Sequence, residues 1–134
     1  MGQTQQSLNG TKTILLVEDD PLLVDIYSTK LKQGGFEVRV VDQGEKAFAA
    51  VQEEKPALVL LDIVLPHMDG WDILRQIKES EELKNTKVVI LSNLGQKEEI
   101  EKGLSLGADK YFIKAHYTPS EIIQELINLV GSPV

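Results

Sequence analysis

The sequence predicts an α/β fold, a doubly wound five-stranded parallel sheet in the order 2-1-3-4-5 with five helices. Three observations carry this. Five short apolar runs alternate with five helical patterns, as repeated βα units do. Three of the runs, Ile14-Leu15-Leu16-Val17, Leu58-Val59-Leu60-Leu61 and Val88-Val89-Ile90-Leu91, are apolar throughout, as strands covered on both faces are. The length, 134 residues, suits one domain that buries a sufficient core by itself. Right-handed crossovers leave few topologies, and five βα units at this length suit the flavodoxin-like order.

The elements follow in turn. The first strand is Thr13–Val17. Asp20 then caps a helix with Pro21 at its first position, and Gly34-Gly35 stops it. Its apolar stripe is Leu22, Leu23, Ile26, Tyr27 and Leu31. The second strand, Glu37–Val41, alternates, which suits an edge with one wetter face. Asp42 and Glu45 form a capping-box pattern before Ala47, Phe48, Ala50 and Val51. The third strand is Ala57–Leu61. Asp69-Gly70 opens a helix whose buried stripe is Ile73, Leu74 and Ile77. The fourth strand is Lys87–Leu91. The fourth helix, around Gln96–Leu106, is weak: its apolar face is Ile100, Leu104 and Leu106, and Gly103 inside it costs about 1 kcal/mol relative to alanine. So few contacts suit a mobile element. The fifth strand is Lys110–Ile113. Thr118-Pro119-Ser120-Glu121 is a full capping box before Ile122, Ile123, Leu126, Ile127 and Val130.

Composition narrows the function. With 42% hydrophobic and 26% charged residues, the chain is not globally disordered. Fourteen basic against 21 acidic residues leave a net charge of −7, so nucleic-acid binding by this domain is not expected. The chain has no cysteine, which excludes disulfides, thiolate metal sites and cysteine nucleophiles. No segment approaches the ~18 apolar residues of a membrane span. A cytoplasmic location is the expectation. Residues 1–11 read as a disordered leader or expression remnant, 12–130 as the folded domain and 131–134 as a short tail.

In doubly wound sheets, ligands bind beyond the carboxyl ends of the strands. There the sequence places Glu18, Asp19 and Asp20 after the first strand, Asp62 after the third, Ser92 after the fourth and Lys114 after the fifth. Taken singly, each has a plain reading: Asp20 as a helix cap, Ser92 as a turn residue, Lys114 as a solvated lysine. Asp62 resists such a reading, because it lies between Leu58–Leu61 and Ile63-Val64-Leu65, where a charge needs a partner or a metal. Oxygen-only donors favour Mg²⁺, with Mn²⁺ possible, over zinc. One carboxylate would remain to act as a nucleophile toward phosphorus.

The segments Ile14–Asp20, Leu60–Gly70, Val89–Ser92 and Gly107–Lys114 together resemble the receiver domain of two-component response regulators. The likeness runs from about Lys12 to Val130. It implies that Asp62 accepts a phosphoryl group from a histidine kinase or a phosphotransfer protein. It implies that Glu18, Asp19, Asp62 and the backbone carbonyl of Val64 hold Mg²⁺. Ser92 and Lys114 would bind phosphoryl oxygens, and Tyr111 would be the aromatic switch residue. The fourth helix, fifth strand and fifth helix would be the output face toward an unknown protein target. The domain would be a monomer or a phosphorylation-dependent dimer, catalysing only its own phosphoryl transfer and dephosphorylation.

Two positions depart from the family pattern. Ala115 follows Lys114, where the family usually has a proline in a cis peptide. A cis bond costs about 3 kcal/mol before alanine and under about 1 before proline. The expectation is a trans bond with a rearranged loop, or a strained cis bond kept for function. Asn93 follows Ser92, where the family mostly has a small residue, and its bulk narrows access to the site. His67 and His116 read as loop residues and Trp71 as partly buried. A receiver fold that signals without phosphate, an aspartyl phosphatase and a flavodoxin are the competing readings. The complete acidic set opposes the first. The phosphatase pattern puts its nucleophile after the first strand, whereas the best nucleophile here follows the third. Glu18-Asp19-Asp20 would repel a flavin phosphate.

Overall fold

A computed structural model describes residues 10–134. The leader expected over 1–11 therefore lies almost wholly outside the described residues. Strands β1 (Thr13–Val17), β2 (Glu37–Val41), β3 (Leu58–Leu61), β4 (Lys87–Ser92) and β5 (Lys110–Ile113) alternate with helices α1 (Pro21–Gln33), α2 (Ala47–Glu54), α3 (Gly70–Glu79), α4 (Lys97–Ser105) and α5 (Pro119–Val130). All pairings are parallel, in the order β2-β1-β3-β4-β5. The expected topology is the observed one.

The apolar runs explain this layout. Every residue of β3 is buried, and β1 and β4 are buried beyond their first residue, because helices cover both faces of a parallel sheet. One face packs Leu15, Val17, Val59, Leu61 and Ile90 against Ile73, Leu74 and Ile77 of α3. The other packs Ile14, Leu16, Leu60 and Leu91 against Leu31 of α1 and Ile122 and Leu126 of α5. The edge strand β2 alternates in exposure, as its sequence does.

The helix starts obey local chemistry, with one correction. Asp20 and Asp69 cap α1 and α3, their carboxylates accepting from Leu22 and Trp71 N–H at 2.9 Å each. Thr118 and Glu121 form the expected reciprocal box at α5. The Asp42–Glu45 box does not form. A 3-10 turn (Gly44–Lys46) comes first, with Gln43 at its start and no side-chain cap, and α2 begins only at Ala47. Gly44 is buried, and a Cβ there would lie 3.2 Å from Leu65 and Met68 atoms. The chain is drawn down onto the β3–α3 loop instead of entering a helix at once.

Helix α4 corrects a second expectation. Leu104 is 47% exposed, and the buried residue of the helix is Gly103. A Cβ at Gly103 would lie 2.8 Å from Ile90 Cδ1 and 3.0 Å from Tyr111 Cδ2. The missing side chain thus lets α4 lie close on the sheet. Gln96 N–H donates to Glu99 Oε1 at 2.9 Å, giving α4 a start signal that the sequence reading missed.

The short tail packs back on the body. Lys12 N–H donates to the Pro133 carbonyl at 2.7 Å. Lys12 Nζ donates to the Val130 carbonyl at the end of α5. No helix among the described residues is long and apolar enough to cross a membrane.

Candidate functional site

Strand register delivers the site residues to one rim. Glu18 N–H donates to the Val41 carbonyl at 3.1 Å, and Asp62 N–H to the Val17 carbonyl at 3.0 Å. The backbone just past β1 and β3 is therefore still held to its neighbours. Ser92 pairs with Ile113 across β4 and β5, which sets Lys114 one residue beyond. Glu18 is 2% exposed, Asp62 6% and Ser92 not at all.

Lys114 joins the two buried carboxylates. Its Nζ donates to Glu18 Oε1 at 2.8 Å and to Asp62 Oδ2 at 2.9 Å. Their second oxygens are held as well: Glu18 Oε2 accepts from Asp20 N–H and Asp62 Oδ1 from Val64 N–H, both at 3.1 Å. Each buried charge thus has partners, as burial requires. Ligand oxygens of Glu18, Asp19 and Asp62 lie within 4.8 Å of one another. With Val64, Asn93 and Lys114 they line a cavity of about 310 Å³. Asn93 lines this opening.

The electrostatics follow from burial. Burial raises the Glu18 pKa, and the Asp62 charge adds to the rise. Hydrogen bonds from Lys114 and from Asp20 N–H pull the other way without cancelling it. For Lys114, burial alone would lower the pKa, but the hydrogen bonds to Glu18 and Asp62 outweigh it and hold the ammonium charged. Burial also raises Tyr27, whose ionisation is eased by Lys114 and opposed by Glu18. The sequence reading placed Tyr27 only in an apolar stripe; a buried phenol this close to the cluster carries no sequence signal.

Ser92 and Tyr111 meet at a neighbouring point, the β4–α4 loop. Ser92 Oγ accepts from Leu94 N–H at 3.2 Å. Tyr111 Oη donates to the Leu94 carbonyl at 2.5 Å. Burial, foremost, and the charge of Glu99 raise the Tyr111 pKa, against a hydrogen bond with Ser92. So Ser92 and Tyr111 clasp one loop, while Glu18, Asp19, Asp62 and Lys114 form the cavity beside it.

The other singled-out residues stay apart. His67 is exposed in the β3–α3 loop with φ 67°, and His116 is exposed at the end of a 3-10 turn, Lys114–His116. Trp71 is 8% exposed. There is no cis peptide among the described residues, so the Lys114–Ala115 bond is trans and the chain turns at once into that 3-10 turn.

The donor set fits a hard divalent cation. It holds three carboxylates and neither histidine nor cysteine, the set that Mg²⁺ or Mn²⁺ prefers. Two of the three are buried, so a cation there would offset a charge cost that Lys114 alone offsets only in part.

Known proteins resemble this chain in sequence and fold. A family model described as the response regulator receiver domain matches residues 14–127. The DNA-binding response regulator MtrA of Mycolicibacterium smegmatis is 36% identical over 110 residues, covering 82% of this chain and 46% of that protein. The transcriptional regulatory protein GltR of Pseudomonas aeruginosa is 34% identical over 120 residues, covering 90% and 49%. The chain thus spans about half the length of these curated relatives. Among solved structures, the Mn²⁺-bound form of response regulator Rcp1 superposes with a TM-score of 0.79 at 26% identity, covering 90% of this chain and 95% of that one. The BeF3-activated DrrB receiver domain gives 0.78 at 31% identity, covering 88% and 96%.

Proposed function

The chain belongs to the response regulator receiver domain family, and we propose that Asp62 is its phosphoacceptor, charged by a histidine kinase or a phosphotransfer protein. The observation that carries this is the Lys114 bridge between Glu18 and Asp62, at 2.8 and 2.9 Å. Such a bridge sets a cation and a nucleophilic oxygen side by side in one cavity.

In the transfer an Asp62 carboxylate oxygen forms a bond to phosphorus. The phosphorus–nitrogen bond of the donor phosphohistidine breaks, and its electron pair leaves on the imidazole. Lys114, already in contact with Asp62, turns its ammonium to a phosphoryl oxygen as the negative charge builds. Ser92 supplies a hydroxyl to a second oxygen by giving up its bond to Leu94 N–H. Glu18, Asp19, Asp62 and the Val64 carbonyl would hold Mg²⁺ or Mn²⁺, which supplies charge stabilisation to the phosphoryl oxygens when bound. Hydrolysis of the acyl phosphate by the same site returns the resting state.

The released Leu94 loop frees Tyr111, and the surface of α4, β5 and α5 changes its affinity for a protein target. The domain acts as a cytoplasmic signalling switch, 12–130 being the receiver, and turns over no other substrate. Its target is another protein, and it is a monomer or dimerises on phosphorylation. The net charge of −7 disfavours direct contact with nucleic acid.

Incubation with Mg²⁺ and acetyl phosphate, read by mass spectrometry, tests the proposal. The chain should gain one phosphoryl group, and Asp62→Asn should gain none while keeping its circular dichroism. Absence of an adduct on the wild type would favour a receiver fold that signals without phosphate.

A further inference from the structure

The β3–α3 loop reaches α4 by a second route, separate from Ser92 and Tyr111. Gly70 presses on the backbone next to the acidic site. Its N–H donates to the Ile63 carbonyl at 3.1 Å, and a Cβ there would lie 2.5 Å from Ile63 Cα and 2.9 Å from the Asp62 carbonyl oxygen. No side chain fits between, so α3 begins directly on the Asp62–Ile63 peptide.

Trp71 is the next residue, and its N–H is fixed by Asp69 Oδ1 at 2.9 Å. Its ring is almost fully buried, and Lys102 Nζ of α4 lies 4.7 Å from the ring centroid. Lys102 immediately precedes Gly103, where α4 rests on Ile90 and Tyr111. Helix α4 buries nothing else. A helix so lightly held is positioned by its few contacts, and the Lys102–Trp71 pair is one of them.

We infer that Lys102 and Trp71 form a latch that seats α4 against the helix growing out of the Asp62 loop, making Lys102 a positioning residue for the switch. The inference rests on the phosphoacceptor reading for what the latch reports, though not for its existence. A shift in the Asp62–Ile63 peptide carries Gly70 with it, and Trp71 then moves relative to Lys102. Trp71 is the chain's single tryptophan, so its emission reads the contact directly.

The test compares the full chain with Lys102→Met, which keeps the stem and loses the charge, and Lys102→Arg, which keeps a cation. Amide hydrogen exchange over residues 97–105 is measured first, without phosphodonor. Lys102→Met should exchange about two- to fivefold faster, the factor that an exposed cation–π contact supplies, and Lys102→Arg should match the wild type. Trp71 emission is then followed during incubation with Mg²⁺ and acetyl phosphate, with mass measured in parallel. The wild type should change emission as it gains a phosphoryl group, and Lys102→Met should gain the group with a smaller change or none. Equal exchange in all three proteins overturns the latch. So does a phosphorylated wild type with unmoved emission. If no phosphoryl group is gained, the phosphoacceptor reading falls, and the exchange result alone decides the latch.

Discussion

Lys114 Nζ lies 2.9 Å from Asp62 Oδ2, so the ammonium already rests on the carboxylate proposed as phosphoacceptor. Lys114→Ala should leave Glu18 and Asp62 facing each other without a cation. A loss of about 2 kcal/mol in divalent-free buffer is expected. It falls below the ~3–5 of a fully buried broken pair, because the cavity opens to water. Urea denaturation with EDTA measures it. Saturating Mg²⁺ should recover part of the loss by binding only the folded state.

Glu18→Gln gives a pH signature. Burial, chiefly, holds the Glu18 pKa above its usual 4.5. An acid that keeps its proton more tightly in the fold than in the unfolded chain weakens the fold on ionising. That penalty is absent below the unfolded value and complete once the pH passes the raised one. In divalent-free buffer the Gln variant should match or exceed wild-type stability at pH 7, and its advantage should shrink as the pH falls towards 4.5. Denaturation midpoints across that window check the sign.

Gly103→Ala sets two effects against each other. Helix propensity favours alanine by about 1 kcal/mol. The new methyl would lie 2.8 Å from Ile90 Cδ1 and 3.0 Å from the Tyr111 ring, and overpacking of this kind costs about 1–3 kcal/mol. Packing should win, lowering the melting temperature by a few degrees. A raised melting temperature would show that α4 yields easily.

Thr118→Ala serves as a control away from the acidic cavity. It removes the acceptor for Glu121 N–H at 3.1 Å and should cost about 1 kcal/mol. Calorimetry measures that loss, while Mg²⁺ titration should be unchanged.

The sheet was legible because β1, β3 and β4 carry unbroken apolar runs that end at Glu18, Asp62 and Ser92. Strand ends converge by topology, so placing Asp62 and Lys114 on one rim needed only the strand order. What escaped depends on tertiary contact. Asp42 has the chemistry of a cap, yet the packing of Gly44 on Leu65 and Met68 imposes a 3-10 turn there. Gly103 counts as a defect by propensity and proves to be the seat of α4. The direction of the Ser92 hydroxyl, toward Leu94 N–H, also follows from a loop that no local pattern announces.

The chain enters the fold at Lys12, bonded to Pro133 as it leaves, at the opposite end of the sheet from Glu18 and Asp62. Immobilising the protein through Val134 on a sensor chip should therefore leave the acidic mouth facing the solution, so that capture of the proposed kinase partner can be recorded without a tag in the way.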